Sequence, residues 1–297
     1  MRDRFLKTPS ISVIIATHNS EATIEKCLTS LISQTYPLEK YEIIVVDDGS
    51  KDKSVELSKK LNVDKVIVTN PCSLGHARNI GVKEAQGKFL AFFDSDCIAK
   101  ERWIETIAKE LENNDAISGP VMNGNFDSYI AWADYLLEFS PFNEYKKRSM
   151  IDFMPGCNQA CTREAFEKSG GFLDKLLSDD VYFGYRLKNA GIKIVFVPEF
   201  KMLHLCRTKI KQVKSNQELL GKYIVRNNIA IPSNFSKITK SKWYVPLFFL
   251  LRIGAKARYA IKSRKFGKFI ISFPIILLGT YSCSKGVWKE FTENSQK

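Results

Sequence analysis

Between residues 10 and 121 the chain alternates short unbroken apolar runs with stretches whose apolar residues recur every three or four positions. SISVIIAT (10–17), YEIIVV (41–46), KVIVT (65–69), FLAFF (89–93) and AISGPV (116–121) have the length and residue types of buried strands. Between them, Ile24, Cys27, Leu28, Leu31 and Ile32 follow Ser20 at helical spacing, with Ser20 as the expected N-cap and Pro37 beyond the end. A polar helix through Val55, Leu57 and Leu61 is predicted next, then one over SLGHARNIGVKEAQG closed by Gly87. A further helix is predicted over residues 101–112, around Trp103, Ile104, Ile107 and Leu111. Strand and helix in strict alternation predict a mostly parallel sheet covered on both faces, with ligands gathering at the carboxyl ends of its strands. Asp47-Asp48 follows the second strand and Asp94/Asp96 the fourth, so both acidic pairs belong to one edge.

After residue 121 the alternation loosens. Tyr129, Trp132, Leu136 and Leu137 keep helical spacing. GCNQACTREAFEKSGGF reads as a turn or strand and a short helix, SDDVYFGYRLKNAG as a helix ending before Gly191, and KIVFVP as one more strand. From residue 236 the pattern changes again. The uncharged run WYVPLFFLL (243–251) and the run FIISFPIILLGTYSC (269–283) flank a basic stretch, RIGAKARYAIKSRKFGK. Each run is shorter than the roughly 18–20 residues that cross a bilayer, and Pro246 and Pro274 interrupt them. An α/β domain over 1–235 and a basic, apolar helical appendage over 236–297 are therefore expected, the appendage lying on an anionic membrane surface or capping the core.

Charge sharpens that division. Residues 201–297 carry 20 of the 45 Lys and Arg but only 3 of the 32 Asp and Glu, so the last third is about +17 and the remainder about −4. Nucleic acid is an alternative partner for such a tail, but its interleaved Trp, Phe, Leu and Ile suit lipid better than a phosphate backbone, and none is expected. The seven cysteines (27, 72, 97, 157, 161, 206 and 283) are scattered without a CxxC pair. Cys157 and Cys161 read as buried thiols rather than a zinc site. MRDRFLKTPS lacks the apolar stretch of a signal peptide, so a cytoplasmic protein at the inner face of the membrane is expected.

The paired acids of FLAFFDSDC pose the chemical question. Carboxylates two residues apart on an extended chain lie on one side and repel, unless something positive sits between them or the pair is a solvated loop. A hard divalent cation would satisfy them and accept a diphosphate at its remaining positions.

SVIIATHNSEATIEKCLTSLISQTYP, EIIVVDDGSKD, ARNIGVKEAQGKFLAFFDSD, GCNQACTREAFEKSGGF and SDDVYFGYRLKNAG, in that order, resemble the motifs of family 2 glycosyltransferases. The resemblance covers most of residues 10–205. It implies the GT-A fold, a nucleotide-binding, mostly parallel α/β sheet flanked by helices, and sugar transfer from a nucleotide-diphosphate donor with inversion, assisted by Mg²⁺ or Mn²⁺. By the same resemblance Ala16, His18, Asp48 and Arg78 hold the nucleotide, with Asp48 favouring a UDP-sugar. Asp94, Asp96 and His204 hold the metal, Asp180 is the general base, and Gly156, Asn158 and Asp179 line the acceptor side. The family commonly has Pro and Tyr where this chain has Ala16 and His18, and Glu where it has Asp179. Its GGFD is here Gly170-Gly171-Phe172-Leu173-Asp174, one residue longer. A lipid-linked or polysaccharide acceptor is the expectation. A sugar-phosphate nucleotidylyltransferase is the alternative enzyme, though HNSEAT is not the Gly-rich phosphate loop it requires. A basic protein with no catalytic activity is the other alternative.

Overall fold

A computed structural model of the chain describes residues 9–174, 179–230 and 241–294. In chain order the elements are β1 (Ile11–Thr17), α1 (Ile24–Ile32), β2 (Tyr41–Asp47), α2 (Ser54–Lys60), β3 (Lys65–Val68), α3 (Leu74–Glu84) and β4 (Phe89–Asp94). There follow β5 (Cys97–Ala99), α4 (Trp103–Glu110), β6 (Ala116–Ser118), β7 (Val121–Asn123), α5 (Tyr129–Glu138), β8 (Ser149–Ile151) and β9 (Asn158–Thr162). Last come α6 (Arg163–Ser169), α7 (Asp179–Asn189), β10 (Ile194–Phe196), β11 (Met202–His204), α8 (Ile210–Ala230), α9 (Val245–Lys262) and α10 (Phe266–Asn294).

The chain forms two compact units, Met1–Val121 with Lys146–His204, and Met122–Tyr145 with Leu205–Lys297. The boundary expected at 235/236 lies outside the described residues. In the first unit eight strands form one sheet in the order β3-β2-β1-β4-β9-β6-β10-β8. The first four are mutually parallel, β9 runs antiparallel to both β4 and β6, and β8 is antiparallel to β10. The mostly parallel α/β reading holds. Every residue of β1 and β2 is buried, as a sheet covered on both faces requires.

Register fixes the functional edge. Thr17 lies opposite Asp47, and Ala16 opposite Asp94. The strand order turns back at β1/β4, the position where open α/β sheets leave a crevice beyond their strand ends. Asn158 secures the other side of that crevice. Fully buried at the start of β9, it accepts from the Trp103 indole N–H at 2.9 Å and donates to the carbonyls of Phe200 at 2.8 Å and Pro120 at 3.2 Å. Beneath lies an aromatic core in which Phe92 meets Phe166, Phe172 and Phe183.

Ser20 does not cap α1. Its carbonyl accepts from the N–H groups of Thr23 and Ile24, and the helix starts after Thr23. The intervening turn lets the Ser20 hydroxyl reach Ser95 at 2.7 Å, a tertiary bond that the spacing of residues could not announce.

The second unit is helical. Its core joins Trp132, Tyr135 and Leu136 of α5 to Val213, Ala260, Phe269 and Ile276. α8 and α10 approach backbone to backbone at Gly221 and Gly286, where an added Cβ would collide with the carbonyls of Cys283 and Glu218. Buried Asp134 and the partly exposed Glu138 share Arg207, and Glu138 also accepts from Asn216 and Gln217. Pro274, expected to interrupt an apolar run, lies inside the 29-residue α10. The lost hydrogen bond is that of the Ile270 carbonyl, and both residues lie on the exposed side of the helix, where water can satisfy the group. α10 is thus, among the described residues, the one helix long and apolar enough to cross a membrane, although 44% of its apolar window is already buried within the protein.

Candidate functional site

Arg78 of α3 is the centre of the edge. Its side chain is 2% exposed, yet it reaches Asp94 at 2.7 Å, Asp179 at 2.8 Å and the Gly156 carbonyl at 3.4 Å, and its guanidinium lies over the Phe172 ring. Burial works against its charge, but Asp179, then Asp94 and Asp180, outweigh burial and raise its pKa above the ordinary arginine value. Asp94 ends β4 and Asp179 opens α7, so one cation ties the end of β4 to the helix that carries Asp179 and Asp180.

Asp180 is differently placed. One carboxylate oxygen accepts from the Gly156 N–H and the other from the Val181 N–H, each at 2.9 Å. Burial, and next the neighbouring Asp179 charge, push its pKa up to about 6, against the lowering pull of Arg78 and the two N–H groups. Gly156 permits this approach: a Cβ there would lie 3.0 Å from the Asp180 Cβ and 3.2 Å from the Arg78 guanidinium. A carboxylate with a raised pKa, held by backbone and only partly enclosed, is suited to take a proton near neutral pH.

The DSD pair separates its two acids. The chain turns at Ser95-Asp96 between β4 and β5, so Asp94 meets Arg78 while Asp96 meets His204, Oδ1 to Nε2, at 3.4 Å. His204 ends β11 and lies in antiparallel register directly opposite Cys97. Asp96, Cys97 and His204 each offer a donor atom within 4.8 Å of the others, a cluster that fits a divalent cation. Asp94, expected among the ligands, gives its Oδ1 to Arg78.

At the β1/β2 end, His18 is exposed while Ala16 beneath it is buried. The His18 Nδ1 lies 2.7 Å from the Asp48 carbonyl and its Nε2 2.7 Å from the Asn19 amide, which assigns the Nδ1–H tautomer and fixes the ring as an open plate. Asn19 holds this turn with a positive φ of 50°. Asp48 accepts from the Cys72 N–H through Oδ1, and Asp47 serves the turn by accepting from the Ser50 N–H. The longer Gly170–Asp174 loop is pinned to α3, where Asn79 bonds the Phe172 backbone and His76 meets Asp174 at 3.1 Å. Arg186 of α7 donates to the Ser169 carbonyl at 2.7 Å.

The sequence reading missed Cys97. Its signal was there, a thiol directly after an acid taken as a metal ligand, but its cross-strand position opposite His204 depends on a pairing that brings together residues over a hundred apart.

The profile described as "Glycosyl transferase family 2" matches residues 12–170. Glycosyltransferase AglE of Haloferax volcanii is 28% identical over 209 residues, 67% of this chain and 68% of that protein. A probable glycosyltransferase of Bacillus subtilis, YdaM, is 29% identical over 215 residues, and the match spans 51% of its length. Among solved structures, the Pyrobaculum calidifontis mannosyltransferase PcManGT with GDP-Man and Mn²⁺ is similar at a TM-score of 0.63 and 18% identity, over 93% of this chain and 88% of that one. Staphylococcus aureus TarS residues 1–349 with UDP-GlcNAc is similar at 0.54 and 16% identity, over 96% and 92%. At such identities the structures establish the GT-A fold alone.

The Arg78 geometry makes a stability prediction. Arg78→Gln leaves two carboxylates without their cation, one of them buried, and should lower the unfolding free energy by ~3–5 kcal/mol in chemical denaturation, with part recovered by adding Asp179→Asn. A loss under about 1 kcal/mol would show that the cation does not hold the edge together.

Proposed function

The chain belongs to glycosyl transferase family 2, and from that premise we propose that it moves a hexose with inversion from a nucleotide-diphosphate donor to a hydroxyl of a lipid-linked or polysaccharide acceptor. The observation that carries this reading is the position of Asp180. It is a carboxylate held by two N–H groups and facing the same edge as Arg78, Asp94 and the Asp96–His204 pair. A UDP-sugar is favoured because the second oxygen of Asp48 would accept the uracil N–H, with the base stacked on the fixed His18 ring. TarS was solved with UDP-GlcNAc and PcManGT with GDP-Man, so related folds take donors of this class.

Asp96 and His204 would hold Mg²⁺ or Mn²⁺, and a divalent ion bound there supplies Lewis acidity toward the leaving diphosphate. The remaining work falls to the chain. Asp180 takes the proton of the acceptor hydroxyl as that oxygen attacks the anomeric carbon, because a neutral hydroxyl is a weak nucleophile. The Gly156 and Val181 N–H groups hold the carboxylate in one orientation, which in-line displacement requires. Asn158, fully engaged with the scaffold, and Asp179, paired with Arg78, would act on the acceptor side by fixing Gly156 and α7 in place.

The proposed setting is the cytoplasmic face of a membrane. Of the twenty exposed large hydrophobic residues among those described, eleven fall between Trp243 and Trp288. Trp243 just before α9, Leu247, Leu250 and Leu251 in its first half, and Ile270, Ile271 and Tyr281 on α10 are joined by Arg258, Lys262 and Lys268. The acids of this region, Glu290 and Glu293, are paired with Arg226 and Lys222. Apolar stripes beside unopposed cations suit an anionic leaflet.

Asp180→Asn should lower kcat by ~10²–10⁴-fold while leaving nucleotide affinity within about twofold. Equal loss of both would mark Asp180 as structural. Since the base acts ionised and its pKa is about 6, kcat should fall as pH drops through about 6 and stay flat above it. A pH-independent rate between 5 and 8 would contradict the assignment. In vesicle sedimentation the chain should bind anionic liposomes, weaken with salt, and lose binding on Leu250→Glu with Ile271→Glu. Binding unaffected by that pair would remove the face from consideration.

A further inference from the structure

The cluster around Asp96 contains a donor that hard-cation chemistry does not call for. β5 and β11 are paired antiparallel with Cys97 directly opposite His204, and both side chains lie on the buried face of that pair. The Cys97 Sγ is 3.6 Å from the Asp96 Oδ1, and the His204 Nε2 is 3.4 Å from the same oxygen. Around an ion with bonds of ~2.0 Å to oxygen and nitrogen and ~2.3 Å to sulfur, the edges of a tetrahedron measure roughly 3.3–3.6 Å. The two separations match those edges before any ion is added. Three protein donors also leave a further coordination position, the arrangement by which a cation can accept an oxygen of a substrate.

We propose that Cys97 is a third protein ligand of this site, so that the chain takes a thiophilic divalent ion of the zinc class in preference to Mg²⁺, with Mn²⁺ between them. The inference rests on the reading of Asp96 and His204 as metal ligands and adds the thiolate to them. Oxygen-only sites suit Mg²⁺, whereas a thiolate and an imidazole favour softer ions and a lower coordination number. On binding, the S–H bond of Cys97 breaks, a sulfur–metal bond forms and the proton leaves to solvent, with no change in oxidation state. Cys157 touches the Cys97 thiol and is the competing candidate for any thiolate signal. Cys72, the exposed one of the seven thiols, is the site of adventitious binding to remove.

The test uses the full chain carrying Cys72→Ser, reduced and metal-free, titrated with Cd²⁺ in the presence of UDP. An ultraviolet sulfur-to-cadmium charge-transfer band should rise to saturation. It should vanish in Cys97→Ser, with Cd²⁺ affinity in calorimetry reduced about tenfold or more, and persist in Cys157→Ser. Mg²⁺ in large excess should not displace the band, and Zn²⁺ should. If Cys97→Ser does not fold, Asp96→Asn decides: it carries no thiol, so it weakens the band only if carboxylate and thiolate share one ion. Cadmium binding with no such band, a band that follows Cys157, or one indifferent to Asp96→Asn overturns the role of Cys97 and leaves the Asp96–His204 reading intact. Absence of binding by any divalent ion, with or without UDP, overturns both.

Discussion

A single buried guanidinium organises the edge of this sheet. Arg78 joins the end of β4 to the start of α7 through Asp94 and Asp179, and it approaches the Gly156 carbonyl on the loop before β9. Burying an arginine is unfavourable unless its donors are met by charge and hydrogen bonds, and here two carboxylates and a carbonyl meet the two terminal NH₂ groups, while the buried Nε–H has no partner among the described residues. The arrangement depends on the sheet order, because only a β4 lying beside β1 brings its last residue to the crevice that α3 overlooks. Asp180 then inherits its environment from its neighbours. Asp179 sits beside it, Arg78 moderates the repulsion, and Gly156 leaves room for the carboxylate to reach the backbone.

The same arrangement answers the puzzle of two like charges in DSD. They do not share one partner. A turn between β4 and β5 sends Asp94 toward Arg78 and Asp96 toward His204 and Cys97, yet burial, with the Asp96 charge, still holds the Asp94 carboxyl above its ordinary pKa against the pull of Arg78. Spacing alone placed both on one side of an extended strand, which holds only while the strand continues. The divergence gives the two acids different neighbours: Asp94 Oδ1 is held by Arg78, and Asp96 lies beside His204 and Cys97.

Much of the first unit was legible because its strands are continuous apolar runs and its helices carry clear periodicity. The register that sets Ala16 against Asp94 and Thr17 against Asp47 follows from those runs all ending at acids or polar turns. What was not legible depended on pairing between distant segments. The antiparallel insertion of β9 beside β4, the capture of Asn158 by Trp103, Pro120 and Phe200, and the Cys97–His204 pair all join residues at least 38 positions apart. In the second unit, composition announced a basic, apolar segment, but Pro274 misled. A proline on the exposed side of a helix loses one hydrogen bond to water rather than ending the helix.

Binding of a nucleotide diphosphate through a metal is the property that this edge must have if it is the donor site. Calorimetric titration of the chain with UDP, and with GDP and CDP as comparators, with and without Mn²⁺, is the direct measurement. Tightest binding of UDP that depends on the ion is the predicted result. Binding of all three alike without regard to the ion, or binding of none, would contradict it.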